Sequence, residues 1–294
     1  MSAAPRFRDK ILPVATILVV IVVLWYGAAA WLNAPFERDT AARAGTTIAL
    51  TDLLKNTMAQ ERPVLPAPHQ VFAELWDTTV NKPITSKRSL VYHAWVTLSA
   101  TLLGFAIGTL LGILLAIGIV HNRAMDRSLM PWVIASQTVP ILAVAPMIIV
   151  VLNAIGLSGL LPKALISTYL SFFPIVVGMV KGLRSPEQIQ LDLMRTYDAS
   201  AAQVLTKLRW PAAMPYLFTS LKVAIAISLV GAIVGELPTG AVAGLGARLL
   251  AGSYYGQTVQ IWSALFMAAG LAAVLVLVVG MLHAMVLKRM GARP

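Results

Sequence analysis

The sequence predicts an all-α membrane protein with six transmembrane helices and both termini on one face. Three observations carry that prediction: an apolar composition, six long apolar runs and the side on which the basic residues fall. Of 294 residues, 58% are hydrophobic and 12% charged, where a soluble domain has about half and about a quarter. The mean hydropathy is +0.79. A helix needs about 20 apolar residues to cross the hydrocarbon core, and stretches 11–32, 96–120, 129–152, 161–180, 216–234 and 261–287 supply them. They are continuous runs, unlike the short alternating segments of a barrel strand.

The first stretch follows "PRFRDK" and ends near "AAAWLNAP", which resembles a cleavable leader. Its apolar run is longer than a leader's, which favours an uncleaved anchor. In the second stretch Gly104, Gly108, Gly112 and Gly118 include overlapping GxxxG spacings that permit close helix approach. Pro131, Pro140 and Pro146 should kink or break the third. Lys163 and Lys222, near the ends of the fourth and fifth stretches, are expected to snorkel to the interface. Trp25, Trp31, Trp132 and Trp262 fit an aromatic belt.

Arg and Lys near helix ends set orientation. Arg6, Arg8 and Lys10, then Arg123 and Arg127, then Lys181, Arg184, Arg195, Lys207 and Arg209, then Lys288, Arg289 and Arg293 share one side if six helices alternate. That side is assigned to the cytoplasm. The organisation is then 1–32, terminus and first helix; 33–90, an outer segment; 91–287, a five-helix core holding a cytoplasmic loop at 181–213; and 288–294, a cytoplasmic tail. In the outer segment seven basic residues meet six acids. Its "RPVLPAPHQVFAELW" reads as an extended Pro-rich link and a short amphipathic helix lying at the interface.

The net charge is +11 and the pI about 10.2. With no polar domain to bind nucleic acid, this basicity reads as loops that meet anionic lipid. No cysteine is present, which excludes disulfides and thiol chemistry, and the four histidines are scattered without metal-site spacing. No P-loop occurs, so no nucleotide chemistry is expected.

The loop after the fourth stretch carries the most information. Pro186 marks a helix start, with Glu187 in the first turn, where an acid suits the dipole. Asp198 marks a break after Tyr197. Ser200 with Gln203 makes a capping box for a second helix, which should end before Trp210 and Pro211. Such a capped helix–turn–helix reads as a rigid knob presented to another protein.

This loop resembles the EAA signature of binding-protein-dependent ABC importer permeases: EAA, three residues, Gly, nine residues, then I-x-L-P. Asp192, Leu193 and Met194 stand at EAA, Asp198 at Gly, and Leu208, Trp210 and Pro211 at I, L and P. The spacing is kept and the identities are altered. Arg195 with Thr196, Ala199 with Ser200, and "PAAMP" resemble the nitrate, sulfonate and taurine branch, as do "PAPHQVFAELW", "TLSATLLGFAIGTLLGILLAI" and "AGLGARLLAGSYYGQT". The resemblance covers residues 64–288. It implies a type I importer fold in which this loop docks on an ATPase subunit pair that uses ATP and Mg. It implies too a periplasmic binding protein that delivers the solute, in the inner membrane of a bacterial cell. The chain itself would bind no cofactor. Six helices supply half a pathway, so a second copy, a homodimer, is expected. Asp198 is expected to turn the chain in the left-handed region, with or without a contact to the ATPase.

Glu236 is the single acid within or at the edge of a span, a site candidate by default. It either faces the pathway, pairing with Arg248, or reaches interface water. Tyr254 and Tyr255 are candidates for the outer vestibule or the belt. "GELPTG" through "GSYYGQT" resembles permeases for pyrimidine, thiamine-precursor or riboflavin-type cargo; sulfonate, taurine or nitrate is the alternative cargo. A membrane-embedded enzyme would need clustered intramembrane acids, and a passive channel would not need the loop.

Overall fold

A computed structural model describes residues 7–238 and 241–291, with backbone alone for 7–10. Arg6 and Arg293, the side chains of Arg8 and Lys10, and Thr239 and Gly240 of "GELPTG" lie outside the described residues. The helices are α1 (Phe7–Arg43), α2 (Leu50–Thr57), α3 (Pro68–Trp76), α4 (Leu90–His121), α5 (Arg123–Ala135), α6 (Ile141–Ala154), α7 (Leu160–Leu183), α8 (Gln188–Thr196), α9 (Ala201–Val204), α10 (Trp210–Glu236), α11 (Leu245–Tyr254) and α12 (Thr258–Arg289). Among the described residues there is no strand. Among those residues, five helical stretches are long and apolar enough to cross a membrane, and the bent pair α5 and α6 makes a sixth if it counts as one span.

The chain divides into two compact units, Met1–Val91 with Arg248–Phe266, and Tyr92–Ala247 with Met267–Pro294. In the first, α1 runs eleven residues past the expected end of the span, through Pro35 to Arg43. A proline inside a helix forfeits one backbone bond, and the Ala, Glu and Arg residues after it favour helix. The outer segment assigned from residue 33 therefore begins inside a helix. Asn33, fully buried, donates to the carbonyls of Thr57 (3.2 Å) and Leu65 (2.9 Å) and accepts from the Val64 N–H (2.8 Å). Trp25 packs on Trp262 and Phe266, and Trp31 is exposed. The expected amphipathic helix after the Pro-rich link is α3.

The second unit is built on α7. Ile175, Val176, Met179 and Leu183 pack with Ala116 and Ile119 of α4 and with Ala213, Leu217 and Ala224 of α10. Helix α4 reaches α7 through its glycines. A Cβ on Gly104 would meet Ser167 and the Ala164 carbonyl, one on Gly108 the Ser171 hydroxyl, and one on Gly112 Ile175. Both numbers rise together, so α4 and α7 are parallel. Gly231 meets Ser167 while Gly182 meets Ala213, so α10 is antiparallel to α7.

The third predicted span is a bent pair. Helices α5 and α6 meet at 103°. Pro140 caps α6, and Val139 before it is extended at φ −80° and ψ 120°, as a residue preceding proline prefers. The Ser136 carbonyl at the break accepts from the Tyr169 hydroxyl (2.5 Å). Of the three prolines expected to disrupt this segment, Pro140 breaks it; Pro131 and Pro146 sit inside their helices.

Candidate functional site

Two places in the second unit gather the residues singled out above. The first is the helix–turn–helix between α7 and α10. Helix α8 starts one residue after Glu187, whose N–H donates to the Gln190 side chain (3.0 Å). Pro186 thus precedes the cap instead of opening the helix. Asp192 accepts from Gln188 (3.0 Å) and from Arg195 (2.9 Å), fixing the exposed polar face.

The turn then closes as a Schellman motif. The Asp198 N–H donates to the Arg195 carbonyl (2.9 Å) and the Ala199 N–H to the Met194 carbonyl (3.0 Å). Asp198 has φ +49°, the one positive value outside glycine among the described residues. Ser200 and Gln203 form the expected capping box: the Ser200 N–H donates to Gln203 (2.8 Å) and the Gln203 N–H to the Ser200 hydroxyl (3.3 Å).

The second helix does not end before Trp210. Helix α9 passes through a π-turn, Leu205–Arg209, straight into α10. Pro211 lacks an N–H and its ring would strike the carbonyl four residues back; the wider turn accommodates it without a break. Leu205 and Trp210 pack on the core of the unit, and Arg184 at the end of α7 pairs with Asp126 of α5 (2.9 Å). The stem is thus anchored while no residue of α8 is buried.

Residues i, i+4 and i+8 share a helix face, and Ile189 and Leu193 of α8 and Tyr197, its C-cap residue, take those places. They are 72%, 55% and 77% exposed. Leu193 was expected at the interface; Ile189 and Tyr197 were not. Their i, i+4, i+8 spacing in a polar nine-residue helix was the available signal.

The second place is the far end of α10. Glu236 is completely buried, so it does not reach interface water. The Thr97 hydroxyl donates to its carboxylate (3.0 Å), the Gly246 N–H donates to Oε2 (2.7 Å), and the Lys163 ammonium lies 3.8 Å away. Lys163 also donates to the Ala243 carbonyl (3.3 Å) and is 8% exposed. Snorkelling is thereby overturned for Lys163: a buried carboxylate and a carbonyl within reach hold the ammonium inward. Lys222 lies midway along α10, beside Gly280 of α12, rather than near the inner end.

Three successive backbone amides dock here. The Gly244 N–H donates to His93 Nδ1 (2.9 Å), the Leu245 N–H to the Thr97 hydroxyl (2.8 Å) and the Gly246 N–H to Glu236. Gly244 has φ +128°, and a Cβ there would strike the Glu236 carboxyl. A Cβ on Gly246 would stand 2.9 Å from that of Glu236. The "GLG" of residues 244–246 is thus a strap that only glycine permits at its two ends. Beside it lies a cavity of about 560 Å³, walled by α4, the end of α6, the α6–α7 turn, the start of α7 and residues Ala241 to Ala243, which lead into the strap.

The remaining candidates belong to the first unit. Burial lowers the Arg248 guanidinium from its ordinary pKa, opposed by the Glu74 carboxylate, and its Nε is buried without a hydrogen-bond partner among the described residues. Tyr254 and Tyr255 are 79% and 69% exposed. Among the described residues no cluster of His, Asp and Glu has the makings of a metal site.

Comparison with known proteins places this architecture. Residues 108–292 match the family described as "Binding-protein-dependent transport system inner membrane component". A "Probable ABC transporter permease protein" of Haemophilus influenzae is 30% identical over 62% of this chain and 72% of its own length. The "Formylaminopyrimidine transport permease protein ThiX" of Halalkalibacterium halodurans is 33% identical over 62% and 68%. The "Riboflavin transport system permease protein RibX" of Chloroflexus aurantiacus is 31% identical over 76% and 80%. A "Putative aliphatic sulfonates transport permease protein SsuC" of Bacillus subtilis is 24% identical over 64% and 66%.

Proposed function

This chain belongs to the binding-protein-dependent transport system inner membrane component family, a multi-pass permease component of ABC importers, and on that premise we propose that it forms half of a translocation pathway driven by a separate ATPase. The other half is a second copy. A periplasmic binding protein delivers the solute, and both termini of this chain face the cytoplasm. The cargo is a small N-heterocycle of the pyrimidine or thiamine-precursor class. Relatives named for formylaminopyrimidine and riboflavin match at 33% and 31%, against 24% for the relative named for sulfonates, which supports that order.

The observation that carries the mechanism is α8. A nine-residue helix standing clear of its own core exposes Ile189 and Leu193, and its C-cap residue Tyr197 continues the stripe. Leaving such a stripe in water forgoes roughly 1.5–3 kcal/mol per large side chain that burial would return. An ATPase groove supplies that burial. Because α9 is continuous with α10, force on α8 travels through the Schellman turn into a membrane helix without crossing a flexible linker.

The experiment is co-purification with the cognate ATPase and measurement of ATP hydrolysis with and without binding protein. Leu193→Glu should leave the thermal midpoint of the isolated permease unchanged and abolish both co-purification and stimulation. Retained stimulation in Leu193→Glu and Tyr197→Ser together would exclude α8 as the coupling element.

A further inference from the structure

The cavity beside the strap has a size, about 560 Å³, within the range of small-molecule sites, roughly 300–1,000 Å³. Its polar wall groups are mostly uncharged: the hydroxyls of Tyr92, Ser99 and Ser158 and the amide of Asn153. Val96 and Leu160 offer apolar surface for the face of a ring. Among the described residues, the Lys or Arg in its walls is Lys163. That ammonium is committed, 3.8 Å from Glu236 and donating to the Ala243 carbonyl. Glu236 is in turn held by Thr97 and Gly246. The cavity therefore sees the field of an ion pair, not of a free cation.

We infer that this cavity is a solute subsite of the proposed pathway and that the Lys163–Glu236 pair makes it selective for uncharged polar heterocycles over anions. The inference rests on the permease reading above and adds to it a physical basis for cargo class. An anion entering the cavity gives up its hydration, a large cost unless a cation offsets it. A cation already paired offsets little. A neutral ring with a carbonyl or ring nitrogen gives up far less. It can accept from the remaining Lys163 N–H, donate to the Ser99 hydroxyl oxygen, whose proton goes to the Val96 carbonyl (2.7 Å), and exchange hydrogen bonds with Asn153. Two carboxylate oxygens already engaged by Thr97 and Gly246 keep Glu236 in place to neutralise Lys163.

The natural absence of cysteine makes the test direct. Ser99→Cys is introduced into the full chain, reconstituted in nanodiscs and reacted with hydroxyethyl, sulfonatoethyl and trimethylammonioethyl methanethiosulfonates. Rates are normalised to those with a small free thiol. The neutral reagent should react at least ten-fold faster than the anionic one. In the Glu236→Gln background the anionic rate should rise about ten-fold while the neutral rate holds. An anionic reagent as fast as the neutral one in the Ser99→Cys chain overturns the selectivity, whether or not Glu236→Gln folds. In proteoliposomes of the same variant with its ATPase and binding protein, uptake unchanged after Ser99→Cys is fully labelled overturns the subsite. Absence of any ATPase stimulation before labelling would instead overturn the permease reading and leave the charge selectivity of the cavity standing.

Discussion

At position 198 the backbone must turn left-handed, with φ +49°. Aspartate tolerates this better than most residues, because its short side chain bonds locally, but glycine is free of the Cβ penalty. Asp198→Gly should therefore stabilise the α8 turn by up to ~1 kcal/mol, raising the thermal midpoint of the purified permease. Asp198→Ile should lower it, since a β-branched residue is strained there. Binding-protein-stimulated ATP hydrolysis should be unchanged in Asp198→Gly; its loss in a stabilised variant would show that the carboxylate touches the ATPase. The turn, its Ser200–Gln203 box and the break itself were readable in the sequence because each depends on partners within five positions. Glu236 was readable as a singular acid, but its neighbours were not. Thr97 lies 139 residues away, and nothing local to Lys163 distinguishes an inward ammonium from one that snorkels. Only the packing of α4, α7 and α10 decides that.

Helices meet through small residues when no hydrophobic force separates protein from lipid, and α4 against α7 is such a contact. Gly104 and Gly108 differ in what surrounds them. A side chain at 104 would meet backbone, the Ala164 carbonyl, while one at 108 would first meet the Ser171 hydroxyl, which can rotate. Gly270 on α12 has open space around it. Gly104→Val should destabilise the permease by about 1–3 kcal/mol or more, Gly108→Ala by less, and Gly270→Val scarcely at all, read as thermal midpoints in one detergent. The glycine spacing announced a close contact; its partner was hidden because α7 offers Ala164, Ser167 and Ser171 within an otherwise ordinary apolar run. The extension of α1 to Arg43 and the passage of α9 into α10 were also hidden. For α1 the end of the apolar run suggested an end, and for α9 it was Pro211; local geometry carried both helices on, with one lost bond at Pro35 and a π-turn before Pro211.

Within the second unit, direction follows from which residues touch. Since α4 and α7 are parallel, the chain leaving α4 must return to the starting side before α7 begins. The intervening pair must therefore cross the membrane, although its halves are only 13 and 14 residues long and bend by 103°. At 1.5 Å per residue each half is about 20 Å, too short to cross alone and long enough in combination. The ion pair Arg184–Asp126 joins the start of the pair to the end of α7. The cavity brings Asn153 and Ser158, at its finish, beside Tyr92 and Ser99 near the start of α4. A re-entrant loop would leave both ends on one side. In sealed vesicles an impermeant thiol reagent should thus label His121→Cys and Gln188→Cys from one face and Ser158→Cys from the other. Labelling of Ser158→Cys from the same face as His121→Cys would make the pair re-entrant. It would also reduce the crossings to five and separate the two termini that the basic-residue count places together. Because α8 begins at Gln188, the same three variants also decide which face carries the proposed ATPase dock, and with it the direction in which the cavity beside the strap opens.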